Sequence, residues 1–525
     1  MKKTYSKIIA LAFLALITLR CTDLDEKLYS DVLKDNFYQT ESEIVAAVAP
    51  AYGDLRGISG DTWDLNSHST DQTIIPTRGR HWYDGGHWQR IHEHTWTSET
   101  PQMNNAWNYA FGRINKANQL LFQLGSLSNI NPQLKDQFVT ELKIIRSFGY
   151  YHAIDFFGNV PIVDKFDLPA GFKPSNETDF ATGRKKAFDF AVKDITDNIG
   201  NLSRNVNTST YGRFHKWAAY ALLAKYYINS QVWTGVSRWD DVITACDSII
   251  KSGKFKLETD YFANFIAKNE GSKENIFVIP YDEVKTEWGL TWFFMGHHMA
   301  TQRKYNTTWT PWNGFCALPS HYKTFDPNDK RRLGWITGKQ YSSAGELLKC
   351  TEESAPNPLE YTVDFGNIYD PNDQAIYDHR NAREFNGARF VKYAIGALPG
   401  WGMGNDIAVY RYADILLLKA EAIMRKNGGV ATQAAVDLVN QVRARSISDN
   451  PYTIQTLTLD ALLKERSWEF YYEGMRRNDL VRYNKFVRGN WEFYNRSSES
   501  DNRNVFPIPQ SQINSNSNLK QNPGY

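Results

Sequence analysis

Apolar residues recur at helical spacing in two stretches of this chain and lose that order between them. Phe138, Leu142, Ile145 and Phe148 fall on one face of a helical repeat, as do Trp217, Tyr220, Leu223, Ala224 and Tyr227. A stripe of that period predicts an amphipathic helix that buries the stripe on a neighbour. Asp240 to Ile250 carries a shorter stripe. Towards the end, Tyr412, Ile415, Leu416, Ala420 and Ile423 predict a helix that stops at Gly428-Gly429, because glycine adopts the left-handed conformation that closes a helix. Ala435, Leu438, Val439 and Val442 predict the next helix, and Leu462 to Tyr472 a third.

Residues 60–104 and 255–404 read differently. They are rich in Gly, Asn, Asp, Pro and Trp, and carry turn signals such as Asp84-Gly85-Gly86, Asp326-Pro327-Asn328 and Asp370-Pro371-Asn372. Loops of such length are uncommon in a compact domain unless they build a site. The predicted fold class is therefore mainly α: a tetratricopeptide-like helix-pair scaffold with a long-loop, Trp-rich subdomain. The scaffold spans about 36–59, 105–254 and 405–525, and the repeat is not a clean one of about 34 residues.

The N-terminus predicts an address. Met1-Lys2-Lys3 precedes the uncharged apolar run Ile8 to Leu19, too short to span a bilayer and of the form of a secretory signal over 1–20. Cys21 ends the run, resembling the lipid acceptor of bacterial lipoproteins. Residues 21–35 would then be an acylated tether, and the acidic group Asp23, Asp25 and Glu26 resembles a surface-export tag of Bacteroidetes lipoproteins. Ordinary signal cleavage, leaving a soluble periplasmic protein, is the alternative.

Formal net charge is +2, from 60 basic and 58 acidic residues without a block of either sign, so nucleic acid is not an expected partner. The aromatic content changes the picture more: 16 Trp, 29 Tyr and 29 Phe suit deep packing or a partly wet binding surface. Beyond Cys21, Cys246 reads as a buried thiol, and Cys316 and Cys350 sit in loop-like sequence where they could pair.

Six segments in order resemble the SusD-like (SusD/RagB) family of outer-membrane glycan-binding lipoproteins over nearly the whole chain. They are Phe37 to Glu41 leading into Ala49 to Arg56; Glu141 to Phe148 ending in Phe157-Gly158-Asn159-Val160-Pro161; Arg411 to Ala422; Val439 to Arg445; Glu465-Arg466 through Glu473 to Leu480; and Phe506-Pro507-Ile508-Pro509-Gln510 with Asn522 to Tyr525. Pro50 is expected to end or kink the first helix. Glu465, Arg466, Glu469 and Glu473 are expected on one helix, spaced for ion pairs among themselves or with Arg476 and Arg477. The resemblance implies binding without turnover, no cofactor, a lipid-anchored position on the outer-membrane surface, and a SusC-like TonB-dependent transporter as partner.

Candidate ligand contacts lie in the irregular segments. One cluster runs from Thr70-Asp71 through Arg78, Trp82 and Trp88 to Trp96; the other comprises Trp288, Trp292, Tyr305, Trp309 and Trp312. An aromatic plane beneath a sugar's C–H face, with Asp, Arg or Asn at its hydroxyl rim, satisfies both parts of the ligand. The resemblance implies roles for Asp71, Arg78, Trp96, Trp288 and Trp312. Two rival chemistries are open: a zinc site at His92-Glu93-His94, whose alternation suits a strand, and a glycoside hydrolase using Asp84 and Glu93, which would need carboxylates roughly 5 to 10 Å apart. Within the family, peptides or glycoconjugates are alternative ligands.

Overall fold

The computed structural model describes residues 40–79, 81–127, 130–286, 289–351, 357–370, 372–396, 402–494 and 500–525. The expected signal, tether and Cys21 acceptor lie outside the described residues, as does Trp288.

The helices that the periodicity placed are present, Pro101–Gly125 and Phe180–Thr196 form without having been singled out by it, and the set stacks in chain order. Pro101–Gly125 packs on Pro132–Phe157, which packs on Phe180–Thr196, and so on through Lys216–Thr234 to Trp239–Lys251. Local chemistry sets their ends. Asn131 Oδ1 accepts the Leu134 N–H at 3.1 Å just before Pro132, and Thr432 and Thr458 cap Gln433–Arg443 and Leu459–Glu469 in the same way. Pro50 does not end the first helix. Glu41–Gly53 runs through it, because a proline near a helix end disturbs little beyond one hydrogen bond.

Trp239–Lys251 then packs directly against Tyr412–Lys426, although about 160 residues separate them. A strand pair closes that excursion: Asn275–Ile279 runs antiparallel to Ile407–Arg411, with Asn275 opposite Arg411 and Ile279 opposite Ile407. The loop-rich part is therefore an insertion whose two ends are stitched together beside the scaffold. Residues 60–104 are less irregular than expected, since they include the helices Asp61–His68 and His87–His92.

A buried ionic network fixes the insertion to the C-terminal helices. Arg411 bonds Glu274 at 2.6 Å, Glu469 at 3.0 Å and Glu473 at 2.7 Å; Arg331 bonds Glu465 at 2.7 Å; Lys392 bonds Glu473 at 2.5 Å. All these side chains are fully buried. The structural role expected of the glutamates holds, but their partners are distant in sequence rather than helical neighbours. The helix ends at Glu469; Tyr472 (φ 53°) and Gly474 (φ 67°) turn the chain, so Glu473 is not on it. Such a network specifies geometry more than it stabilises, because desolvating each charge offsets its attraction.

Cys246, Cys316 and Cys350 are free and buried. Cys316 and Cys350 do not pair because they belong to separate apolar clusters, Cys316 with Ile74 and Leu318, Cys350 with Leu348, Leu359 and Phe385. No helix among the described residues is long and apolar enough to cross a membrane.

Candidate functional site: a tryptophan platform

Folding brings rings from the two Trp-rich stretches together. Trp82 lies 5.6 Å from Trp292 and 6.3 Å from Trp312 between ring centroids, and Trp88 lies 6.1 Å from Trp292. Trp312 is 44% exposed and the neighbouring Tyr83 54%; Trp82 and Trp292 are half-buried and Trp88 lies beneath them.

Backbone strain and indole hydrogen bonds set this cluster. Trp82 sits in the left-handed region at φ 63°, unfavourable for a bulky residue, and Asp84 and Asn313 beside the cluster do likewise at 42° and 53°. Such conformations cost about 1–3 kcal/mol each and persist only where the surroundings enforce them. The enforcement is visible. Trp82 Nε1 donates to the Trp312 carbonyl at 2.7 Å, joining the two loops, and Trp88 Nε1 donates to Asp84 Oδ2 at 2.9 Å. Gly314 lies under the Trp82 ring, where a Cβ would stand 2.9 Å from it. Trp292 Nε1 donates to Asp64 Oδ1 at 2.6 Å, and burial pushes the Asp64 carboxyl well above its ordinary range.

A polar edge adjoins the rings. Asn105 Nδ2 donates to Asp61 Oδ2 at 2.6 Å. Burial, then the nearby Asp64, pushes Asp61 up to about 6. His87, tilted against Trp88 with ring centroids 4.8 Å apart, is lowered by burial and interacts with both Asp84 and Asp61. An open aromatic face bordered by amide, carboxylate and imidazole can hold a ring that is apolar on its faces and hydroxylated at its rim.

Other expected contacts are placed elsewhere. Trp96 is 1% exposed, packed on Phe506 and His94, with Nε1 bonded to Tyr525 Oη at 2.8 Å. Its expected ligand role is corrected to packing. So is that of Arg78, 1% exposed, which donates to the Asn313 carbonyl at 3.1 Å and the Arg383 carbonyl at 2.5 Å; burial and Arg389 lower it to about 9. Trp309 is 5% exposed and edge-on to Phe294 at 4.7 Å, so it too packs inward. Tyr305 is half-buried against Phe294 and His297. Asp71 is held by Arg476 in a different cleft. Sequence reasoning missed Asp61, Asp64 and Asn105 beside the rings, because no local pattern ties those helix residues to a loop that begins well over a hundred positions away; His87 adjoins Trp88 in sequence but was not given a role there.

The side chains of the rival constellations are engaged by other partners. His92 ends a helix rather than alternating in a strand, and faces the His68 and Glu492 carbonyls, while His94 faces that of Ser69. No group of three or more His, Cys, Asp or Glu fit to hold a metal occurs among the described residues. Glu93 is engaged by His379 and Arg380, each at 2.5 Å, whereas Asp84 serves Trp88.

Two family models account for most of the chain. Residues 273–525 match the model described as "SusD family" and residues 24–228 the one described as "Starch-binding associating with outer membrane". The chain belongs to the SusD/RagB family. Among its SusD relatives, the starch-binding protein SusD of Bacteroides thetaiotaomicron is 26% identical over 424 residues, 73% of this chain and 72% of that one. A SusD-like protein of Bacteroides ovatus is 21% identical over 505 residues, 92% of this chain and 83% of that one. The SusD fold is shared with a superfamily protein from Parabacteroides distasonis (TM-score 0.73, 19% identity, 92% of this chain and 99% of that one). It is also shared with surface glycan-binding protein A of B. thetaiotaomicron in complex with laminarihexaose (TM-score 0.70, 20% identity, 92% and 99%). Two of these four, the starch-binding protein SusD and surface glycan-binding protein A, are named as binding proteins.

Proposed function

We propose that this protein captures oligosaccharides at the cell surface on the Trp82, Trp292 and Trp312 platform and delivers them to a SusC-like TonB-dependent transporter. The observation that carries the reading is an open Trp312 ring wired to a strained, partly buried tryptophan cluster in a member of a family whose named relatives bind starch and laminarihexaose. Acylated Cys21 holds the protein at the outer membrane; each acyl methylene contributes roughly 0.8 kcal/mol, so several chains on one cysteine give a lasting hold. Weak capture next to the pore raises the local ligand concentration, and the protein acts as the lid that passes ligand on. The role is binding without turnover.

A glycan array probed with the chain lacking residues 1–21 tests the reading. Oligosaccharide binding that falls with Trp312→Ala supports it, and an array without a single positive sinks it. Product analysis after incubation with the bound glycan tests turnover, where cleavage would replace the binding role with an enzymatic one. Cys21→Ala should move the protein from the membrane fraction to the soluble one.

A further inference from the structure

A second cleft, of about 430 Å³, opens where Asp71 meets the helix Pro319–Lys323 and the stretch 460–491. Arg476, 8% exposed, grips Asp71 in its wall through Nε–Oδ1 at 2.7 Å and Nη2–Oδ2 at 2.6 Å. This pair is neutral as a unit and rigid. His321, 4% exposed, stands in the same wall with Nε2 lacking a hydrogen-bond partner. Leu463, Leu480 and the half-buried Trp491 supply apolar surface.

The remaining charges are arranged unevenly. Lys485 reaches Asp460 at 3.3 Å and Arg488 reaches Asp501 at 2.6 Å, and both cations stay 46% exposed. Glu492 accepts from Ser320 Oγ. Lys464 is exposed, lies 5.1 Å over the Trp468 ring and has no carboxylate partner among the described residues. Exposed ion pairs of this kind are worth little and exchange readily for a better anion. The cleft therefore offers a fixed inner wall, an apolar patch and a mouth with uncommitted positive charge, in a volume suited to a small ligand unit.

We propose that this cleft binds one acidic sugar unit, a uronate or a sulfate ester, with its anion held by Lys464 and Arg488 and an apolar face against Trp491. The site shares no lining residue with the tryptophan platform, so it stands or falls independently of that reading. It would let the protein take glycans that carry negative charge as well as neutral stretches.

Calorimetric titration of the chain lacking residues 1–21 with tetragalacturonate, a sulfated galactan oligosaccharide and neutral laminarihexaose tests this. At least one anionic oligosaccharide should bind, more weakly as salt is raised. Lys464→Ala with Arg488→Ala should weaken it about tenfold, as for charges at a rim, while Trp312→Ala leaves it unchanged. Both replaced side chains are solvent-exposed, and circular dichroism checks that the variant folds. Which oligosaccharide binds separates the uronate from the sulfate. Failure of both anions to bind, affinity unchanged in the double variant, or loss with Trp312→Ala instead would overturn the proposal.

Discussion

Trp312→Ala should weaken glycan binding about tenfold while leaving the fold intact. The residue is 44% exposed, which for a ring residue of about 250 Å² leaves about 110 Å² open to a ligand. Complete cover at about 25 cal/mol per Å² would contribute about 2.8 kcal/mol. A pyranose covers one face, so about half of that, or about 1.4 kcal/mol, is lost, which is a factor of ten in Kd. The fold survives because the hydrogen bond from Trp82 lands on the Trp312 backbone carbonyl, which alanine retains. Trp96→Ala is the contrasting control. That ring is 1% exposed, so its removal should cost about 3–5 kcal/mol of stability through the cavity it leaves. Calorimetry with the best array ligand reads the first effect and denaturant unfolding the second. An unchanged Kd for Trp312→Ala, or a Trp96→Ala variant of full stability that has lost only binding, would refute the division of the tryptophans into platform and core.

The ionic network should be intolerant of partial removal: Arg411→Met leaves Glu274, Glu469 and Glu473 short of a shared cation and should cost about 3–5 kcal/mol, read as a fall in Tm by scanning calorimetry. Acid should unfold the protein partly through Glu421. Burial pushes that carboxyl up, but Arg482 and Arg425 pull it further the other way, to about 2 against an ordinary 4.5. Its stabilisation is complete above pH 4.5 and lost as pH falls towards 2, so Glu421→Gln should flatten the acid limb of Tm against pH. Asp61 has the opposite sign. With its carboxyl at about 6 in the folded chain against an ordinary 3.8, stability is lost as pH rises through that window. Asp61→Asn should therefore raise Tm relative to the native chain near neutral pH and not below pH 3.8; an equal shift at both ends would refute the assignment.

The helical scaffold was legible because its information is local. The stripes through Phe138 to Phe148, Trp217 to Tyr227 and Tyr412 to Ile423 each specify a helix and its buried face, and Gly428 and Gly429 adopt the positive φ that ends one. Family membership was legible in six ordered segments for the same reason. Glu473 was misread because local rules describe a residue in an average helix, not one in a turn closed by Gly474, and Pro50, expected to end or kink its helix, does not end it.

Which tryptophans face solvent was decided by tertiary structure alone. Trp96 and Trp312 sit in similarly polar, Trp-rich sequence, yet one is sealed by Phe506 and Tyr525 from the end of the chain and the other stands open. Burial depends on what distant segments cover a ring, and composition carries no record of that. The pairing of Asp71 with Arg476, 405 positions apart, is of the same kind. The sequence by itself determined the strongly periodic helices, their order and the family; the closing of the insertion by Asn275–Ile279 against Ile407–Arg411 decided which side chains meet, because contact is a property of the folded path and not of spacing along the chain.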